Sequence, residues 1–238
     1  MTASQATSRR DGRRHAILAI DTATTYALIA VGSPRGEPYG ASTWEAGYRH
    51  GDTLLPNIGR LLGEAGLRRS RLRGIVAGTG PGAFTGLRVG LATAKGLAHA
   101  LTIPLVGVPT SDALLAAAEA VTGESHLALL VPAGPSDRTL CRRGEPPRLL
   151  PGGIEPELRR SERLVAVDLE GRADRDALAL GRQARDKLAG HLLALGARRL
   201  ADHPAGDDLA RLVPEYVTLP RGVRISSDDA VAVRAEAG

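Results

Sequence analysis

Few residues in this sequence have the type and spacing that chemistry needs. His15, His50, His99, His126, His191 and His203 never fall within four residues of one another, so no helix can offer two imidazoles to one metal ion. HExxH and GxSxG patterns are absent. His50 stands beside Asp52 just before a helical pattern and reads as a polar surface residue. Cys141 is the single cysteine. It excludes an intrachain disulfide, in keeping with a reducing compartment, and no base nearby would activate it. The strongest chemical candidate is Asp21-Thr22, which ends the apolar run HAILAID. A carboxylate at the end of a central strand can hold a metal-bound phosphate through water. The competing reading is a buried Asp hydrogen-bonded to its own turn, as polar burial demands.

The stretch GTGPGAFTGLR at 78–88 invites a phosphate-binding interpretation, because a glycine-rich turn that opens a helix often cradles one. The templates fail. GxxxxGK is followed by Ser or Thr in a phosphate loop, whereas Leu87-Arg88 follow Gly86; GxGxxG would need glycine at Ala83 or Thr85. The glycines instead form helical rows: Gly86, Gly90, Ala94 and Ala98, and separately Ala92, Gly96 and Ala100. Residues four apart share a helix face, and interior glycine costs about 1 kcal/mol relative to Ala. Close approach of another backbone would offset that cost, whether the chain's own sheet or a second protein. Arg88 in the first turn opposes the helix dipole and calls for a carboxylate partner.

The elements that must position these residues follow from the apolar pattern. HAILAID and YALIAVG (26–32) read as strands, with a third around 37–43, in antiparallel meander spacing. Leu54, Leu55, Ile58, Leu61, Leu62 and Ala65 give an amphipathic helix over 52–65. Asp52 is placed to cap it, Pro56 falls in its first turn, and Gly66 ends it. A strand at 72–77, a helix at 85–101 and a strand at 105–108 complete a mixed α/β lobe without Rossmann alternation. The second half predicts a helix at 111–121, strands at 126–131 and 164–169, and a long helix at 175–195. Residues 132–162 read as loops or weak edge strands, and Tyr216 to Leu219 as a last short strand. The divisions are a polar tail over 1–14, a first lobe over 15–104, a second over 105–225 and a tail over 226–238. The 238 residues carry a net charge of +5, and all basic residues except Lys95 and Lys187 are arginine. That balance permits nucleic-acid contact without establishing it. No apolar run is long enough to cross a membrane, and residues 1–14 have no apolar core for secretion; a cytoplasmic protein is expected. The tail has nothing apolar to bury and is expected to be dispensable for assembly.

ILAIDTAT (17–24), HGDTLLP (50–56), GTGPGAFTGLRVGLATAKGLA (78–98) and IPLVGVPT (103–110) resemble the bacterial TsaB (YeaZ) family, specifically over about residues 16–112. The resemblance implies an α/β, actin-like and Hsp70-like (ASKHA, RNase H-like) two-lobe fold. It also implies a non-catalytic subunit that dimerises with the catalytic paralogue TsaD in making threonylcarbamoyl-adenosine (t6A) in tRNA. The ATPase TsaE joins that assembly, TsaC makes the activated donor, and the complex uses ATP and ADP while this chain is expected to bind no cofactor of its own. Two departures stand out. Gly51-Asp52-Thr53 replaces the usual Ser-Glu-Arg after His50, and the Asp-Ala-Arg usual after the first strand of the second lobe is missing, with Val131-Pro132-Ala133-Gly134 in its place. The metal-binding histidine pair of the catalytic paralogue is absent too. The expected partner face takes Leu54, Leu55, Ile58, Gly86, Arg88, Gly90, Ala94 and Leu97, and Gly90→Leu is expected to weaken partner binding while sparing the monomer. A homodimer is a further expectation for the chain when the partner is absent. The alternative is an independent ATP-binding kinase or transferase with Asp21 and Thr22 as a degenerate nucleotide site; a protease is opposed by every motif.

Overall fold

The computed structural model describes residues 14–45 and 50–217. The first sheet has the order β3-β2-β1-β4-β5, built from β1 (Ala16–Asp21), β2 (Tyr26–Gly32), β3 (Pro38–Glu45), β4 (Leu72–Gly78) and β5 (Leu105–Val108). β1 to β3 are antiparallel and β4 and β5 join in parallel, with Ala19 opposite Ala30 on one side and Val76 on the other. β5 therefore closes the first lobe. Helices α1 (His50–Glu64) and α2 (Phe84–Leu101) lie on one face of this sheet. The period-2 alternation of β1 sends Leu18 and Ile20 to that face, where they meet Leu54, Ile58, Leu91 and Ala94. Ile17 and Ala19 point to the opposite face.

The opposite face packs on α3 (Thr110–Thr122) and α4 (Arg175–Asp202). These two helices also cover the second sheet, β8-β7-β6-β9, made of β6 (Leu127–Pro132), β7 (Arg138–Cys141), β8 (Arg148–Leu150) and β9 (Arg163–Ala166). Leu129, Val131 and Val165 of this sheet share one core with Ile17, Val76, Leu188 and Leu192. The two lobes thus sandwich α3 and α4. Glycine makes the close approach of α4 feasible: a Cβ on Gly196 would stand 2.2 Å from Val76, and one on Gly181 would stand 1.8 Å from the Ala166 carbonyl oxygen.

Several expectations shift. β7 and β8 occupy the stretch expected as loops or weak edge strands, and α4 continues to Asp202. α1 begins at His50, so Pro56 lies in its second turn and Asp52 inside its first, not at its cap. Pro56 contributes no N–H to the hydrogen-bond ladder of α1. Tyr216 and Val217 form no strand, and Thr218 and Leu219 lie outside the described residues, as do the 226–238 tail and the 1–14 tail up to Arg13.

Candidate functional site and partner face

Asp21 and Thr22 sit at the carboxyl end of β1, where the two lobes meet, and both are 1% exposed. Both side chains are hydrogen-bonded. The Ala23 amide donates to Asp21 Oδ1 (2.9 Å), and Thr110 Oγ1, at the start of α3, donates to Asp21 Oδ2 (2.6 Å). Thr110 Oγ1 in turn accepts from the Gly80 amide at 3.2 Å. Thr22 Oγ1 donates to the Gly86 carbonyl of α2 at 2.7 Å. Gly78 has no room for a side chain, since a Cβ there would lie 1.8 Å from Asp21 Oδ2. The two residues therefore tie β1 to the Gly78–Gly82 turn, α2 and α3, and their side chains point into protein.

The cleft between the lobes is closed above them. Asp168, after β9, accepts from the Thr25 amide (2.5 Å) and from Arg185 (2.9 Å), and the Arg185 guanidinium stacks on Tyr26. The chain beyond α4 then returns along β5: the Asp207 amide donates to the Leu105 carbonyl and Asp207 Oδ2 accepts from the Gly107 amide. The Glu215 amide donates to the Thr79 carbonyl, and the Tyr216 ring lies 5.0 Å from Phe84. Between Pro81, Phe84, Pro132, Thr139, Glu215 and Tyr216 there remains a cavity of about 60 Å³. Small-molecule sites usually offer about 300 Å³ or more, and this space is smaller. Among the described residues no group of three His, Cys, Asp or Glu is placed to hold a metal. Cys141 is buried, and burial, then Glu215 and Asp112, push its thiol up to about 12; it is not a nucleophile at neutral pH.

Burial also holds carboxylates above their ordinary range: Asp21 against the opposing Thr110 and Ala23 hydrogen bonds, Asp112 against Arg143, and Glu215 with a further push from Asp112. The folded chain keeps these protons where the unfolded chain releases them, so their contribution to stability is lost as pH rises through the raised values. Glu162 and Glu145 are held low by hydrogen bonds from Arg142 and Arg159, and theirs is lost as pH falls through the lowered values. Thermal stability from these groups is expected to peak in the ordinary carboxylate range and to fall on either side of it. Melting curves between about pH 3 and about pH 8 check this, and Glu215→Gln is expected to flatten the high-pH limb.

The expected partner face divides in two. Leu54, Ile58, Gly86, Gly90 and Ala94 are buried inside the chain's own lobe. The physical reason is phase: Leu87 and Leu91 mark the arc of α2 that seeks the sheet, and Gly86, Gly90 and Ala94 fall beside them. A Cβ on Gly90 would stand 2.1 Å from Thr22 Oγ1, so this row admits β1's turn and not a second protein. Leu55 is 54% exposed, Arg88 is exposed and Leu97 is half-buried. Arg88 has no carboxylate partner among the described residues; it donates to Tyr216 Oη (2.9 Å) and lies 3.9 Å over the Phe84 ring. The row that does face outward is the other one. Ala92, Gly96 and Ala100 are exposed on α2, and Leu55, Gly59 and Gly63 are exposed on α1 beside it. Side chains added at Gly59, Gly63 or Gly96 would meet nothing within 4 Å.

Residues 40–148 match the model of the TsaD family, tRNA N6-adenosine threonylcarbamoyltransferase. An uncharacterized protein of Mycobacterium tuberculosis is 40% identical over 101 residues, 41% of this chain and 47% of that protein. The tRNA threonylcarbamoyladenosine biosynthesis protein TsaB of Escherichia coli is 33% identical over 99 residues, 40% of each chain. The chain thus spans less than half the length of the curated relatives it matches. The structure of YeaZ from Pseudomonas aeruginosa superposes with a TM-score of 0.64 and 25% identity, covering 85% of this chain and 99% of that one. The expected α/β, actin-like two-lobe fold is the one observed, shared with the YeaZ structure, and part of the chain is similar in sequence to TsaB.

Proposed function

We propose that this chain is a scaffold subunit for the synthesis of threonylcarbamoyl-adenosine in tRNA, and that the outer face of α1 and α2 binds a TsaD-type catalytic paralogue. One observation carries the reading. Two glycines in helix interiors, Gly59 and Gly96, face open space, as does Gly63 in the last turn of α1, and an interior glycine costs the isolated helix about 1 kcal/mol relative to Ala. Nothing among the described residues offsets those costs. A partner helix lying against the stripe would do so, because small residues let two helix axes come within about 8 Å. Leu55 supplies an exposed apolar anchor on α1, and no other exposed large hydrophobic lies on the described residues of these two helices.

The cleft geometry supports the same reading, since Asp21 and Thr22 serve as internal ties. The chemistry is then assigned to the partner, with a TsaE-type ATPase, and ATP and tRNA are handled by the complex. A second copy of this chain is the substitute occupant of the face when the paralogue is absent, and the cytoplasm is the proposed compartment. Co-expression with the paralogue from the same genome tests the reading. A heterodimer is expected on size-exclusion chromatography with light scattering, and independent elution of the two proteins at micromolar concentration would overturn it.

A further inference from the structure

We infer that a cavity on the outer face of the second sheet is a binding site for a small carboxylate that carries an ammonium group, an α-amino acid being the simplest. The cavity lies at the carboxyl ends of the parallel strands β6 and β9, between the loops that follow them and the segment at Gly153 and Glu155. Folds of the α/β class commonly take their ligands at the carboxyl ends of parallel strands. The volume is about 510 Å³, inside the range of about 300 to 1,000 Å³ usual for small-molecule sites. Arg138, Glu155, Leu164, Arg172, Ala173 and Asp174 are in its lining.

Alternation along β7 sends Thr139 to the cleft side of the sheet, and Arg138 and Leu140 to the outer side. That outer side is otherwise apolar, with Ala128, Leu130, Leu140, Leu150 and Ala166 in one core. Arg138 and Arg142 are the buried arginines among the described residues, and their counter-charges differ. Arg142 Nε and Nη2 donate to the two carboxylate oxygens of Glu162 at 2.6 and 2.8 Å, and both side chains are buried. Arg138 donates to the carbonyls of Arg172 (2.9 Å) and Ile154. Glu155 Oε1 stands 3.7 Å from it, beyond hydrogen-bond reach, on a side chain that is 82% exposed. The carbonyls fix the plane of the Arg138 guanidinium and do not neutralise it. A buried charge without a close counter-charge is costly, and an anion in the cavity would offset that cost.

The rest of the lining selects the anion. Arg172, in the loop after β9, donates to the carbonyls of Gly134 and Pro135 at 3.0 and 3.1 Å, which ties the loop after β6 to the same wall. Two guanidinium groups thus share the cavity with two carboxylates, Glu155 and Asp174. Charges of both signs oppose a phosphate dianion and suit a zwitterion. The planar fork of Arg138 matches a carboxylate. Asp174 Oδ1 caps α4 by accepting from the Ala177 amide (2.8 Å), so the exposed Glu155 is the better placed to receive the ammonium group. Leu164 and Ala173 give the cavity an apolar wall for a side chain.

The test is a thermal-shift screen of the full chain against the standard L-amino acids, with acetate and inorganic phosphate beside them. A ligand at about 10 times its dissociation constant raises the melting temperature of a chain this size by about 3 to 6 °C. At least one amino acid is expected to do so, and acetate and phosphate are not. Calorimetry with that amino acid then compares variants. Arg138→Gln is expected to abolish binding. Glu155→Gln changes an exposed side chain and is expected to stay folded, to bind the amino acid about 10-fold more weakly and to bind acetate no worse than the parent. Should Arg138→Gln fail to fold, Glu155→Gln decides alone. A panel without effect, acetate or phosphate matching the best amino acid, or parent-like amino-acid binding by Glu155→Gln would each overturn the proposal. The outer face of α1 and α2 plays no part in these measurements, so their failure and the failure of the scaffold reading are separate results.

Discussion

Gly90→Leu is expected to destabilise the folded chain, and Gly96→Leu, six residues along the same helix, is expected not to. At Gly90 a Cβ would stand 2.1 Å from Thr22 Oγ1 and 3.2 Å from Thr22 Cβ. Thr22 cannot yield cheaply, because it is buried and its hydroxyl holds the Gly86 carbonyl, and the neighbouring Asp21 is fixed by Thr110 and Ala23. Overfilling a packed core costs typically 1 to 3 kcal/mol, and the rigidity here places the expected loss at about 3 kcal/mol. For a chain of this size that lowers the melting temperature by roughly 6 to 12 °C. At Gly96 nothing lies within 4 Å, so replacing glycine with a good helix former is expected to gain a few tenths of a kcal/mol up to about 1. Circular dichroism melts of the two variants read this directly. Equal stability of the two would show that α2 presents a different face to its sheet.

The second large effect concerns the outward face. Leu55→Arg combined with Gly96→Arg is expected to leave the monomer folded and to weaken binding of the TsaD-type partner by about 100-fold, or about 2.7 kcal/mol. Leu55 would lose apolar contact area, and Gly96 would put a long charged side chain where a backbone is to pass. Burying an unpaired guanidinium against a helix is unfavourable unless a carboxylate meets it. Isothermal calorimetry against the purified partner gives the number, and unchanged affinity would move the interface to another surface. Gly90→Leu is not a test of this face, contrary to what the four-residue spacing alone suggests.

That reversal shows where sequence reading ran short. Two small-residue rows run along α2, and spacing alone assigns neither to the sheet. The phase was nonetheless present in the sequence, because Leu87 and Leu91 flank the Gly86, Gly90 and Ala94 row, and large apolar residues face the core. On α1, Leu54 and Ile58 belong with Leu61 and Leu62 on the buried arc, while Leu55 falls outside it. The first lobe was legible because its strands are long apolar runs and its helices are periodic. β7 and β8 were not, since three or four residues such as Arg138 to Cys141 carry too short a pattern. Arg88 illustrates a different limit: its partners, Phe84 and Tyr216, combine a local ring with one 128 residues away. The return of residues 203–217 across the cleft follows from contacts with Leu105, Gly107 and Thr79, and no periodic pattern announces such a path.

The central claim is that this chain is required for t6A synthesis without performing the chemistry. A reconstituted reaction tests it most directly: a tRNA transcript, ATP, threonine and bicarbonate with the TsaC-, TsaD- and TsaE-type proteins of the same genome, with t6A measured by mass spectrometry after nuclease digestion. Product is expected only when this chain is added, with none from this chain without its paralogue and little with the Leu55→Arg/Gly96→Arg variant. Product from this chain alone, or full product in its absence, would contradict it.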